Sequence, residues 1–180
     1  MLLGAVAGAA ARVTVARSAD FLGPGGDASI AGLRLFAGVI NKTTPRRRVE
    51  WIGNPGTRHC WNGTPSIAAA LATLGEAADA DYGQVWHLPT YGPMTGYEFC
   101  EVLGEVCGCE VAPRAVTPTM MRALGVVNPQ ARSLVEMLYQ STNDYLFSDE
   151  KFRARFPRFQ QQHFADLLAS TVKYFADKHA

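Results

Sequence analysis

Arg12-Val13-Thr14-Val15-Ala16-Arg17-Ser18-Ala19-Asp20-Phe21-Leu22-Gly23-Pro24-Gly25-Gly26-Asp27 is the stretch on which the fold turns. Its first six residues set apolar and β-branched side chains between two arginines, the pattern of a buried strand with charged ends. Residues 18–27 read as a loop, punctuated by Gly-Pro and Gly-Gly. Before the strand, residues 2–10 are Ala-rich with Leu2, Leu3 and Val6 and predict a short helix. After the loop, residues 28–38 are apolar and predict a helix docked on the sheet. Helices on either side of a buried strand place the chain in the α/β class.

Further along, residues 41–48 form a dense basic patch that ends in Arg46, Arg47 and Arg48, and Val49 to Gly53 reads as a short strand. Residues 54–63 read as loop. Thr64-Pro65 opens a helix, with the threonine hydroxyl as cap and proline at the first helical position. Ile67, Leu71 and Leu74 give that helix its apolar face, and Gly75 ends it. Gln84 to Leu88 is a predicted strand. Thr95 opens the best-marked helix. Glu98 completes a capping box, Met94 and Phe99 form a hydrophobic staple, and Phe99, Val102, Leu103 and Val106 make the core stripe. Glu110 to Val116 reads as a strand or extended link. Thr117-Pro118 starts a short helix with Met121 and Leu124 inward. Residues 130–140 and 161–176 predict two further helices.

Composition excludes several classes. At 180 residues and 48% hydrophobic, the chain is long enough for a core and too apolar to be disordered. Seventeen basic against sixteen acidic residues leave no net field for nucleic acid. Four cysteines are too few for a disulfide scaffold, so a cytoplasmic protein with reduced thiols is expected. The apolar start, Met1 to Ala16, lacks a basic lead and contains Arg12, so a signal peptide is not expected. No apolar run is long enough to predict a membrane span.

The residues that could carry chemistry do not assemble into a complete set. No Gly-x-Gly-x-x-Gly opens a helix, so the dinucleotide fingerprint is missing from these residues. The glycine loop at 23–26 is either a structural turn or a loop that lets backbone approach a ligand. His59, His87, His163 and His179 show no metal spacing, and Cys107-x-Cys109 is shorter than the usual zinc or redox pair, so no metal is expected. His59 beside Cys60 would make a thiol–imidazole nucleophile only if adjacent side chains converged. The basic patch is either a solvated loop or an anion contact. Arg34, Arg58 and Arg132 lie far apart in sequence and would have to meet in one cleft to act together. Of the six tyrosines, Tyr174 alone has a lysine four residues on, Lys178, in the last predicted helix.

Three ordered segments resemble a known family. Arg17-Ser18-Ala19-Asp20-Phe21-Leu22-Gly23-Pro24-Gly25 resembles the Arg-x-x-Asp/Asn-x-x-Gly-Pro-Gly loop of extended short-chain dehydrogenases, the NAD-dependent epimerase/dehydratase group. The stretch from Gly83 through Trp86, Pro89 and Thr95 to Phe99 resembles their segment before a helix of the C-terminal half. Arg132 to Gln140 resembles a signature near the end of one branch.

The resemblance implies a partial Rossmann-like α/β fold, made of its late strands and helices, with a mostly helical C-terminal substrate-binding domain. Residues 1–40 would be the remnant of the sheet and its cofactor-side loop, and 41–180 the substrate-binding region with interleaved late Rossmann-like elements. It implies NAD or NADP for an intact relative and a nucleotide-sugar or similar hydroxyl substrate. Arg17, Asp20, Gly23 and Pro24 would face the cofactor, and Phe21, Arg34, Arg58 and Arg132 the substrate. No catalytic residue carries over, because the glycine loop and the Tyr-x-x-x-Lys belong to the family's N-terminal half. The expected partners are a second copy or a complementing N-terminal fragment, with the small-molecule substrate if complemented, and neither nucleic acid nor membrane. The competing expectation is a non-catalytic binding or interaction module of the same descent. One departure stands out. Where the family has Tyr-Val-x-Asp, this chain has Gly63-Thr64-Pro65-Ser66, with serine left to cap the helix.

Overall fold

The structure is a computed structural model that describes residues 12–26, 36, 39–40, 44–127, 135 and 138–178. In chain order its elements are β1 (Val15–Arg17), β2 (Asp20–Leu22), β3 (Arg46–Ile52), β4 (Arg58–Gly63), α1 (Thr64–Gly75), a 3-10 turn (Asp79–Asp81), β5 (Val85–His87), β6 (Tyr91–Thr95), α2 (Gly96–Cys107), β7 (Glu110–Val116), α3 (Pro118–Val127), α4 (Leu138–Thr142), α5 (Glu150–Arg155) and α6 (Phe164–Lys178). The predicted helix over 2–10 and most of those over 28–38 and 130–140 lie outside the described residues.

The strands form three small sheets. β1 runs parallel to β5, with Val15 opposite Val85 and Arg17 opposite His87. β4 lies between β2, parallel to it, and β6, antiparallel to it. β3 and β7 pair in parallel from Arg46–Glu110 to Ile52–Val116. Strand-to-strand parallel connections with intervening helices are the signature of an α/β fold, as the sequence predicts.

Two expectations change here. The basic patch is not all loop: Arg46 to Arg48 belong to β3. The strand puts Val49 and Trp51 inward and leaves Arg46, Arg48 and Glu50 exposed, so alternation accommodates the arginines without burying them. Arg46 pairs with Glu110 at 2.8 Å, and Arg47 donates to the Val39 carbonyl at 2.8 Å. The stretch 58–63, read as loop, is β4, the middle strand of its sheet.

The larger core gathers Leu22, Trp51, Trp61, Phe99, Leu103 and, from α6, Leu167, Leu168 and Phe175. Elements from both ends of the chain therefore share one interior. A second cluster packs Ala70 and Leu74 of α1 and Phe152 of α5 against Trp86 and Leu88, with Ala16 alongside. α2 has the predicted start. The Thr95 hydroxyl accepts from the Glu98 N–H at 3.2 Å, and Glu98 accepts the Thr95 N–H at 2.7 Å. Met94 packs on the cluster that contains Phe99, as the staple requires. Among the described residues no helix is long and apolar enough to cross a membrane.

Candidate functional site

In α/β sheets, ligands gather outside the carboxyl ends of parallel strands. Here the carboxyl ends of β1 and β5 are drawn to β4 by one side chain. Asn62 is fully buried. Its Oδ1 accepts the Ala19 N–H at 2.6 Å and the Ser18 hydroxyl at 3.0 Å. Its Nδ2 donates to the Pro89 carbonyl at 2.5 Å and approaches that of Leu88 at 3.4 Å. The chain leaves one sheet at Arg17 and enters the next at Asp20, and Asn62 holds that step. Sequence reading missed Asn62 because it lay in a stretch taken for loop. Nothing in the stretch itself marks it, because its partners lie 26 or more residues away.

Beside this junction stands a second polar group. His59 Nδ1 lies 3.3 Å from Asp20 Oδ2, and Nε2 lies 3.3 Å from the Thr57 hydroxyl oxygen. The Thr57 hydroxyl in turn donates to the Asn54 carbonyl at 2.7 Å. The imidazole is 5% exposed and the Asp20 side chain 40%. The histidine is thus sealed in, while the carboxylate it orients opens to solvent. The Tyr145 ring sits 6.2 Å from that of His59. Burial pushes the Tyr145 phenol up, and the charge of Asp20 adds to the shift. Next to Asp20, Phe21 is an exposed aromatic ring. A fixed carboxylate acceptor open to solvent suits a hydroxyl-bearing ligand, while Phe21, the next residue of β2, faces the other way.

The predicted residues divide as follows. Asp20 joins His59. Phe21 stands opposite Asn62 and Arg17 opposite His87. Gly23 and Pro24 meet the start of α1, where the Thr64 hydroxyl donates to the Pro24 carbonyl at 2.8 Å. Arg58 neighbours His59 on β4, and adjacent strand residues face opposite ways. Its charge helps hold the Glu98 carboxyl low, after the Thr95 hydrogen bonds that do most of this. Arg34 and Arg132 lie outside the described residues, so no cleft shared by the three arginines is on view.

The local expectations at α1 are corrected. Gly63 is the capping position and supplies no side-chain bond, and the Thr64 hydroxyl is spent on Pro24. Ser66 does not cap either. It is buried in the first turn, 3.4 Å from the Tyr91 hydroxyl. Gly63 has a structural reason to be small: a Cβ there would crowd the Leu167 methyls and the Tyr91 ring.

His59 and Cys60 diverge. Cys60 Sγ accepts the Phe147 N–H at 3.4 Å, and burial pushes its thiol up, which disfavours the nucleophilic thiolate. Burial pushes the Cys100 thiol up to about 12. Among the described residues no three His, Cys, Asp or Glu side chains are grouped to hold a metal.

The glycine turn is filled from within. Gly23 has φ +141, and a Cβ there would run into the Thr64 hydroxyl. The space that glycine vacates therefore belongs to α1. Of this turn, Gly25 faces open space. A pyrophosphate cradle needs a glycine turn open at a helix start, and the described residues do not form one.

Solved structures give the fold its relatives. A nucleoside-diphosphate-sugar epimerase from Pseudomonas aeruginosa matches 98% of this chain over 53% of its own, with TM-score 0.64 and 16% identity. A dTDP-glucose 4,6-dehydratase from Bacillus anthracis, solved with NAD, matches 98% over 49%, with TM-score 0.66 and 14% identity. A UDP-glucose 4-epimerase from Thermotoga maritima, solved with UDP-glucose, matches 99% over 50%, with TM-score 0.66 and 16% identity. The chain thus spans about half the length of the structures it matches, and shares with that half the Rossmann-like fold of the NAD-dependent epimerases and dehydratases. No family model and no curated protein matches the sequence.

Proposed function

We propose that this chain is the substrate-side portion of an epimerase/dehydratase-like protein and binds a nucleotide-sugar or similar hydroxyl-bearing molecule. The observation that carries this is the match of nearly the whole chain to half of enzymes that act on nucleotide sugars. Asp20, held by His59, accepts hydrogen bonds from ligand hydroxyls. Arg17, at the end of β1, supplies positive charge.

Hydride transfer in this fold draws on NAD or NADP. These 180 residues carry no Gly-x-Gly-x-x-Gly loop, their Tyr174-x-x-x-Lys178 sits at the end of α6, and among the described residues the glycine turn at the start of α1 is occupied by Thr64. The described residues do not fit the cofactor on their own, and no chemical step is assigned to them.

Calorimetric titration with UDP-glucose, NAD and NADPH tests the reading. Saturable heat is expected for UDP-glucose alone, without turnover. Asp20→Ala is expected to weaken it by about tenfold, the loss of one hydrogen bond to a charged acceptor. Glu110→Gln, on a distant strand, is expected to leave it unchanged. Tight NAD or NADPH binding with turnover by this chain would overturn the proposal.

A further inference from the structure

The β1–β5 pair has one finished side and one unfinished side. In a parallel pair, alternate residues send both N–H and C=O to the same neighbour. Val15 N–H donates to the Gln84 carbonyl at 3.0 Å, Arg17 C=O accepts from Leu88 at 2.9 Å, and Val13 C=O accepts from Gly83 at 2.8 Å. Thr14 and Ala16 therefore aim their backbone groups at the opposite edge. Among the described residues no strand lies there: the sheet is β1 and β5 alone.

The residues at this edge belong to an interior strand. Val13-Thr14-Val15-Ala16 is uncharged and free of proline, and parallel strands of this kind are normally covered on both faces and both edges. All four are only partly buried. Edge strands are ordinarily protected by a charge, a proline or a bulge. Here the charge at the start, Arg12, is turned onto Asp79 and the Tyr82 ring, on the β5 side.

A second observation points to the same place. α1 contains no charged residue, and its Pro65, Ala68, Ala69, Leu71 and Ala72 are exposed, Leu71 by 48%. A surface helix normally turns charged residues to water. Through Ile67, Ala70 and Leu74, α1 packs on the layer that holds Ala16 and Trp86. The uncovered helix face and the uncovered strand edge thus flank one layer.

We propose that the β1 edge and the outer face of α1 together dock a parallel β-strand, with its adjoining helix, from a polypeptide resembling the half of the solved neighbours that this chain does not match. The proposal rests on the functional reading above. A second copy is the poorer occupant, because twofold pairing through β1 would be antiparallel, whereas β1–β5, β2–β4 and β3–β7 are all parallel.

The test co-expresses the full chain with the unmatched half of the Thermotoga maritima UDP-glucose 4-epimerase, and follows single-amide hydrogen exchange by NMR. In the chain alone, the Thr14 and Ala16 amides are expected to exchange at least tenfold faster than that of Val15. A one-to-one complex is expected to slow both by at least tenfold. Leu71→Glu, at an exposed position, is expected to weaken the complex at least tenfold with the chain's own unfolding transition unchanged. Thr14 and Ala16 already slow in the monomeric chain, a complex that leaves them fast, a homodimer that protects them, or no complex at all would each overturn the proposal. UDP-glucose binding by the chain is read on the same samples. Sugar binding without edge protection sinks the docking surface and spares the functional reading, and the reverse result does the opposite.

Discussion

Asn62 shows how much one amide can do when every polar atom of it is used. Its acceptor serves Ser18 and Ala19, and its donor serves Leu88 and Pro89, two segments far apart in sequence. Asn62→Ala would strand the buried Ala19 N–H and the Pro89 carbonyl, each at a cost set by desolvation rather than by the bond itself. The expected loss is about 2–3 kcal/mol, read as a fall in urea midpoint without a change in slope. His59 works differently. It is a buried ring whose two contacts fix the position of Asp20, so its effect on a ligand passes through that carboxylate.

At the scale of elements, α5 is tied down by charge as well as by Phe152. Arg155 places Nε and Nη2 on the two oxygens of Asp81, both at 2.7 Å, joining the helix end to the 3-10 turn. These bonds hold the Asp81 carboxyl below the usual carboxylate range. A carboxyl with a lowered folded value stabilises the fold above its unfolded value, about 3.9, and that contribution is lost as pH falls through the folded one. Asp81→Asn is therefore expected to lower stability at neutral pH and to flatten the acid limb of the stability profile. Urea midpoints measured from pH 6 down to 2 check this.

The legibility of elements follows their chemistry. The start of α2 could be read to the residue because its capping box is local, and the bounds of β7, Glu110–Val116, were legible although strand and extended link both remained open. β6 was hidden by Gly92-Pro93, which signals a turn. It is tolerated because β6 is an edge strand, where a missing N–H is cheap. β2 and β4 were hidden because their partners are distant, and nothing within three or six residues announces them. The site was legible in the same proportion. Asp20 and Phe21 lay in a segment that the resemblance marked, whereas Asn62 and Thr57 owe their importance to partners brought in by folding.

For the whole molecule, the two main cores should not be equally firm. The cluster around Trp51, Trp61 and Phe99 is enclosed by α2, α6 and β7, whereas the one around Trp86 lies on the unfinished β1–β5 layer. Stability distributes with coverage, and sparsely covered units open first. Trp86 is thus expected to report unfolding at a lower urea concentration than Trp51 and Trp61. Comparing fluorescence of a Trp86→Phe variant with one that keeps Trp86 alone, both variants being checked for native circular dichroism, measures the offset. Coincident transitions would show one cooperative unit instead.

The junction residue also sets a chemical clock. Asn62 is followed by Gly63, the only Asn-Gly pair in the chain, and this dipeptide readily cyclises to a succinimide when its backbone is free, ending as aspartate or isoaspartate. In the folded chain both ends of the amide are held and β4 is extended, so the ring cannot close. Each unfolding excursion releases that restraint. Once the amide is hydrolysed, a carboxylate faces the carbonyls of Leu88 and Pro89, and the strands it once joined are pushed apart. The shelf life of the protein is then governed by how long it dwells unfolded, and alkaline storage should convert reversible unfolding into permanent loss.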